Sequence, residues 1–113
     1  MSNLASVDMK NLEQRSEEVA STLALIASPV RLRILCLLAK QEMQVGALAV
    51  ALGLSQSALS QHLAKLRAGG AVETRRDRQA IYYRLADGEV RAIMASLYEI
   101  FCRDRDTEEN RES

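Results

Sequence analysis

The side chains able to do nucleophilic or neutral-pH proton chemistry are Cys36, Cys102 and the single histidine, His62. Cys36 lies in an Ile-Leu-Cys-Leu-Leu run, where a thiol commonly serves as a small core hydrophobe. Arg33 and Lys40 are its helical neighbours and would favour the thiolate. Cys102 ends an apolar run just before Arg103 and Arg105, which favour the thiolate, while the negative end of a helix opposes it. A Cys–His nucleophile pair would need an orienting third residue and an oxyanion donor, and neither is suggested; no catalytic residue is assigned and no enzyme is expected. Two cysteines are too few for a disulfide framework. They are inert core thiols or a redox pair, and a bridge requires Cα atoms within about 7 Å. One His and two distant Cys cannot complete four-coordinate zinc within a subunit, so neither metal nor cofactor is expected.

A second set of residues suits recognition. Residues 54–70 read LSQSALSQHLAKLRAGG. Ser55 can cap a helix by accepting a bond from an orphaned backbone N–H. Leu59, Leu63 and Leu66 make one buried stripe. The opposite face carries Gln56, Ser57, Ser60 and Gln61, short hydrogen-bonding groups able to meet base edges, with Lys65 and Arg67 as cations beside them. A glutamine can pair bidentately with adenine, worth roughly 1–3 kcal/mol of discrimination. His62 seats the helix or touches a phosphate. Gly69-Gly70 ends the helix, since glycine accepts the left-handed conformation of a C-terminal cap. The plain alternative is a solvated helix face.

These residues need elements to hold them. Met9, Leu12, Val19, Leu23 and Ile26 predict a first helix over 9–26. Ser28-Pro29 is a start signal for a second, to about residue 40, apolar nearly all round from Ile34 to Ala39 and so expected at the centre of the core. A third helix over 43–52 turns tightly through Gly53 into the reading stretch, a helix-turn-helix. Alternating residues 72–76 and 79–85, joined at Asp77-Arg78, predict a β-hairpin whose tip carries Arg76 and Arg78. Such a basic hairpin is a wing that reaches phosphates or the minor groove. Asp87 is expected to cap a last helix in which Val90, Ile93, Met94, Leu97, Ile100 and Phe101 form a wide apolar face. So small a domain cannot cover that stripe alone, and the first and last helices are expected to bury each other in a homodimer.

The chain reads as mainly α with a small β-hairpin wing: residues 1–8 flexible, 9–102 a single winged helix-turn-helix domain, 103–113 a disordered charged tail. Fifteen acidic and fifteen basic residues cancel overall. Residues 55–84, however, hold six bases against two acids, a local patch of the kind phosphates respond to. With no signal core and no run near the ~18 apolar residues of a membrane span, the protein is expected to be cytoplasmic, where thiols stay reduced.

PVRLRILCLL, SQSALSQHLAKLRAGGAVETRR and the wing segment IYYRL together resemble the ArsR family of winged helix-turn-helix transcriptional regulators, over about residues 9–102. The resemblance implies four helices, a two-stranded wing and a fifth helix, a dimer through the first and last helices, and binding to an inverted-repeat double-stranded DNA operator that an inducer relieves. The metal-sensing branches carry a cysteine pair at the third helix or Asp and His on the last; this chain has Glu42-Met43-Gln44 at the first place and no His at the second. Cys36 and Cys102 instead stand where the thiol/persulfide-sensing branch has its cysteines. That implies a dithiol which holds DNA when reduced and releases it when reactive sulfur species or oxidants link the pair by a disulfide or polysulfide. The regulator would act as a repressor, or as an activator by displacing a silencer. The alternatives are a metal-responsive or inducer-independent regulator with structural cysteines and, more remotely, a winged helix that binds only protein.

Overall fold

The computed structural model describes residues 9–103. The stretch 1–8, and the expected tail beyond Arg103, lie outside the described residues. The elements are α1 (Met9–Gln14), α2 (Ser16–Ile26), α3 (Pro29–Lys40), β1 (Met43–Gln44), α4 (Val45–Leu52), α5 (Gln56–Ala68), β2 (Val72–Asp77), β3 (Ala80–Leu85) and α6 (Glu89–Phe101). This is a winged helix-turn-helix, with two additions to the expected order.

The first addition divides the predicted 9–26 helix at Arg15, whose φ of −103° and ψ of 22° leave the helical region. The Arg15 N–H is shared between Asn11 O (3.1 Å) and Leu12 O (3.2 Å), and helical bonding resumes with Val19 N–H on Arg15 O (2.9 Å). The second is β1. Residues 43 and 44 are extended, pairing Met43 with Tyr83 and Gln44 with Tyr82, so the sheet is three-stranded in the order β1-β3-β2. The helix expected from 43 therefore starts at Val45. A two-residue strand carries no periodicity, and the sequence pattern passes over it.

Local chemistry explains the helix ends. Ser28 Oγ accepts from Arg31 N–H (3.3 Å), with Pro29 in the first turn where a missing donor costs nothing. The Arg31 guanidinium reaches back to Leu25 O (2.7 Å) and Ala24 O (3.2 Å), satisfying carbonyls at the end of α2. Asp87 does not cap α6: Gly88 holds that position, and the Asp87 carboxylate pairs with Arg91 Nε one turn on (3.2 Å).

Ile34, Leu35, Leu48, Leu59, Leu63 and Leu66 are essentially without exposed surface and form the centre of one core. α3 is its hub, packing against α2, α4, α5, α6 and β3. It is less submerged than its composition suggests. Ile34, Leu35 and Leu38 are buried, while Arg33, Cys36 and Lys40 line one open stripe. Apolar surface also stays open at both ends of the fold: Met9, Leu12 and Leu23 on α1 and α2, and Ile100 (69%) and Phe101 (67%) on α6. No single helix among the described residues is long and apolar enough to cross a membrane.

Candidate nucleic-acid interface and thiol pair

α5 is set by both of its ends and by its buried stripe. Ser55 Oγ accepts from Ala58 N–H (3.1 Å), the predicted N-cap. Leu59, Leu63 and Leu66 are buried as the spacing requires. At the other end Ala71 N–H donates to Leu66 O (2.8 Å) and Gly70 N–H to Arg67 O (3.0 Å), the paired bonds of a Schellman motif. The two glycines differ in role. Gly70 alone takes the left-handed φ, +78°. Gly69 has φ −85° and is needed for space, because a Cβ there would lie 2.5 Å from Leu25 Cδ2.

The predicted recognition residues of the helix and wing lie at the surface. Ser55, Gln56, Ser57, Ser60, Gln61, Lys65 and Arg67 are exposed, and His62 is half-buried. α4 enters α5 through Gly53 at φ +69°, and β2 packs against α5, so the wing follows the helix it flanks. The strands run to Asp77 and from Ala80, leaving Arg78-Gln79 as a two-residue loop. Arg78 has φ +60° with no positive φ at Gln79, the sign pattern of a II′ hairpin turn.

The six basic residues of this region fall into two groups that sequence did not separate. Arg75 donates from Nε (2.9 Å) and Nη2 (2.6 Å) to Glu42 Oε1, and its guanidinium lies 4.9 Å from the centre of the Tyr82 ring. Arg84 donates from Nε to Glu73 Oε2 (2.6 Å) and lies 3.9 Å from Glu42 Oε2. Lys65, Arg67, Arg76 and Arg78 show no ion pair among the described residues. The cations open to phosphate are thus two on the helix and two at the wing tip. Hydrogen bonding to Arg75 holds the Glu42 carboxyl below its ordinary range.

Neither thiol belongs to α5 or the wing. Cys36 is on the open stripe of α3 and Cys102 closes α6, its N–H on Tyr98 O (2.9 Å); both are free and exposed. The packing of α3 against α6 brings them close enough for a charge on Cys102 to act on Cys36. Desolvation by surrounding packing, then Cys102, push the Cys36 thiol above its ordinary pKa; Lys40 pulls the other way. The two cations that sequence placed beside Cys36 therefore do not dominate its titration. Among the described residues no three His, Cys, Asp or Glu side chains group as a metal site.

The sequence profile of the bacterial regulatory protein, arsR family, matches residues 28–74, from the α3 cap through α5 into the wing. Nodulation protein NolR of Rhizobium meliloti is 51% identical over 96 residues, covering 85% of this chain and 79% of its own. Transcriptional activator HlyU of Vibrio cholerae is 41% identical over 99 residues, covering 88% and 92%. Among solved structures, the transcriptional repressor BigR of Xylella fastidiosa superposes with TM-score 0.75 at 41% identity, over 84% of this chain and 97% of that one. The homodimeric winged helix-turn-helix domain of Mb0332 from Mycobacterium bovis gives 0.68 at 34%, over 88% and 89%. On this identity, coverage and fold, the chain belongs to the arsR family of bacterial regulatory proteins and is a DNA-binding transcriptional regulator.

Proposed function

We propose that the protein is a cytoplasmic homodimeric regulator whose hold on an inverted-repeat operator is switched by covalent linkage of Cys36 and Cys102. The observation that carries this is the pairing of two exposed free thiols, on α3 and at the end of α6, near enough for one to shift the titration of the other. The relatives support the output as regulation in either sense, since HlyU is a transcriptional activator and BigR a repressor.

Dimerisation rests on the apolar side chains left exposed on α1, α2 and α6, and on the homodimeric state of Mb0332. Two-fold symmetry then sets two α5 helices about one DNA turn, roughly 34 Å, apart. Gln56, Ser57, Ser60 and Gln61 read base edges, Ser55 and His62 fix the approach of the helix, and Lys65, Arg67, Arg76 and Arg78 contact phosphates or the minor groove.

The inducer is a low-molecular-weight persulfide or another oxidant. One cysteine thiolate takes the outer sulfur of the persulfide, releasing its thiol. The second cysteine displaces that sulfur as hydrosulfide and leaves a disulfide; further persulfide gives a polysulfide link. Since α3 also packs on α4 and α5, closing the bridge moves the hub that supports the reading helix and changes the spacing of the two half-sites. Purified protein, reduced and then treated with persulfide, tests the switch on operator DNA. Cys36→Ser should bind as the wild type does and stop responding.

A further inference from the structure

The outer face of the sheet carries a closed set of charges that DNA reading as described above does not use. Cross-strand register places Glu73 opposite Arg84 and Arg75 opposite Tyr82, with Gln44 beside Tyr82 on β1. Glu42, just before β1, reaches both arginines. Arg75 is held by two donors on one carboxylate oxygen and by the Tyr82 ring, and Arg84 is held by Glu73 with Glu42 near. Two acids thus match two bases, and the cationic surface of the wing is narrowed to Arg76 and Arg78 at its tip.

We propose that Glu42 is a specificity-determining residue for DNA: it withholds Arg75 from phosphate, so that the wing docks by its tip and the body of the sheet adds no sequence-blind attraction. Phosphate contacts supply nearly all non-specific affinity and carry no sequence information, so each cation taken out of contact raises the share contributed by base reading. Glu42 belongs to no element that reads DNA. It joins β1 to the wing from a position 33 residues before Arg75, and its charge acts on the duplex only through the arginine it restrains.

The proposal rests on the wing being a DNA contact, and the test separates the two. Binding to a mixed-sequence duplex and to an operator selected from a random pool is measured between 50 and 200 mM salt. Glu42→Gln, which keeps the shape and removes the charge, should steepen the salt slope on mixed DNA by about 1.8, one added phosphate contact per subunit of the dimer, and narrow the operator preference. Arg75→Gln alone should leave the slope unchanged, and the double variant should return it to the wild-type value. The proposal is overturned if Glu42→Gln leaves the slope unchanged, or if Arg75→Gln flattens it, since Arg75 would then already sit on DNA. Arg76→Gln with Arg78→Gln should flatten the slope by up to about 3.6, two contacts in each subunit. If that pair has no effect the wing is not on the duplex, and the proposal falls with the wing reading rather than through Glu42.

Discussion

Gly69 is the point at which α5 touches Leu25 of α2: a Cβ at position 69 would meet Leu25 Cδ2 at 2.5 Å and Cδ1 at 3.0 Å. The end of the reading helix therefore rests directly on a helix whose other residues, Leu23 among them, leave apolar surface open.

Gly69→Ala forces the terminal methyl groups of Leu25 to move aside. It should lower stability by about 1–3 kcal/mol, the ordinary range for overpacking. Leu25→Ala in the same chain should recover part of the loss by vacating the space. Urea denaturation of the three variants measures it, and additive costs would show that the two residues do not compete for space.

The Ser55 cap can be tested apart from DNA contact. Ser55→Ala should cost about 1 kcal/mol of stability, because the Ala58 N–H loses its acceptor. Ser55→Asp should restore stability, since a carboxylate also caps, but weaken DNA binding by placing a negative charge beside phosphate. Thermal unfolding alongside DNA titration separates the two effects.

The proposed reading divides the side chains of α5 into base readers and phosphate contacts. Gln61→Ala should lose about 1–3 kcal/mol of preference at one base position, with little change on mixed-sequence DNA. Lys65→Ala should weaken all duplexes alike and flatten the salt slope by about 1.8, one contact from each subunit. Binding across single-base operator variants distinguishes these outcomes.

The raised pKa of Cys36 fixes the direction of a pH effect. Burial and Cys102 disfavour its thiolate, so at a given pH Cys36 holds less thiolate than an ordinary cysteine. Alkylation by iodoacetamide should rise with pH with a midpoint above that of an ordinary cysteine. Cys102→Ser removes one of the raising influences and should move the midpoint down. An unmoved midpoint would mean that the two sulfurs do not sense each other.

Much of the reading head was legible in the sequence because its signals are local. The Leu59, Leu63 and Leu66 stripe, the Ser55 and Ser28 caps and the alternation of the wing each follow from neighbouring residues, and the structure repeats them. The features missed depend on distant partners or on strength of competition. β1 exists only because Met43 and Gln44 find Tyr83 and Tyr82 across the chain. Glu42 shows no motif, and its hold on Arg75 and Arg84 spans the fold. Asp87 looked like a cap but is drawn to Arg91. Gly69 looked like a left-handed terminator, whereas its lack of a side chain serves Leu25. Cys36 carried cations at helical spacing, yet desolvation outweighs them.

The most direct test of the proposed switch is a gel shift on the selected operator, with reduced and persulfide-treated protein compared and the Cys36–Cys102 linkage read by mass spectrometry. Persulfide should release the wild-type protein from DNA in step with the appearance of a disulfide or polysulfide between these residues, reductant should restore binding, and Cys36→Ser should remain bound throughout. Release of Cys36→Ser by persulfide, or release of the wild type with both thiols still free, would contradict the switch.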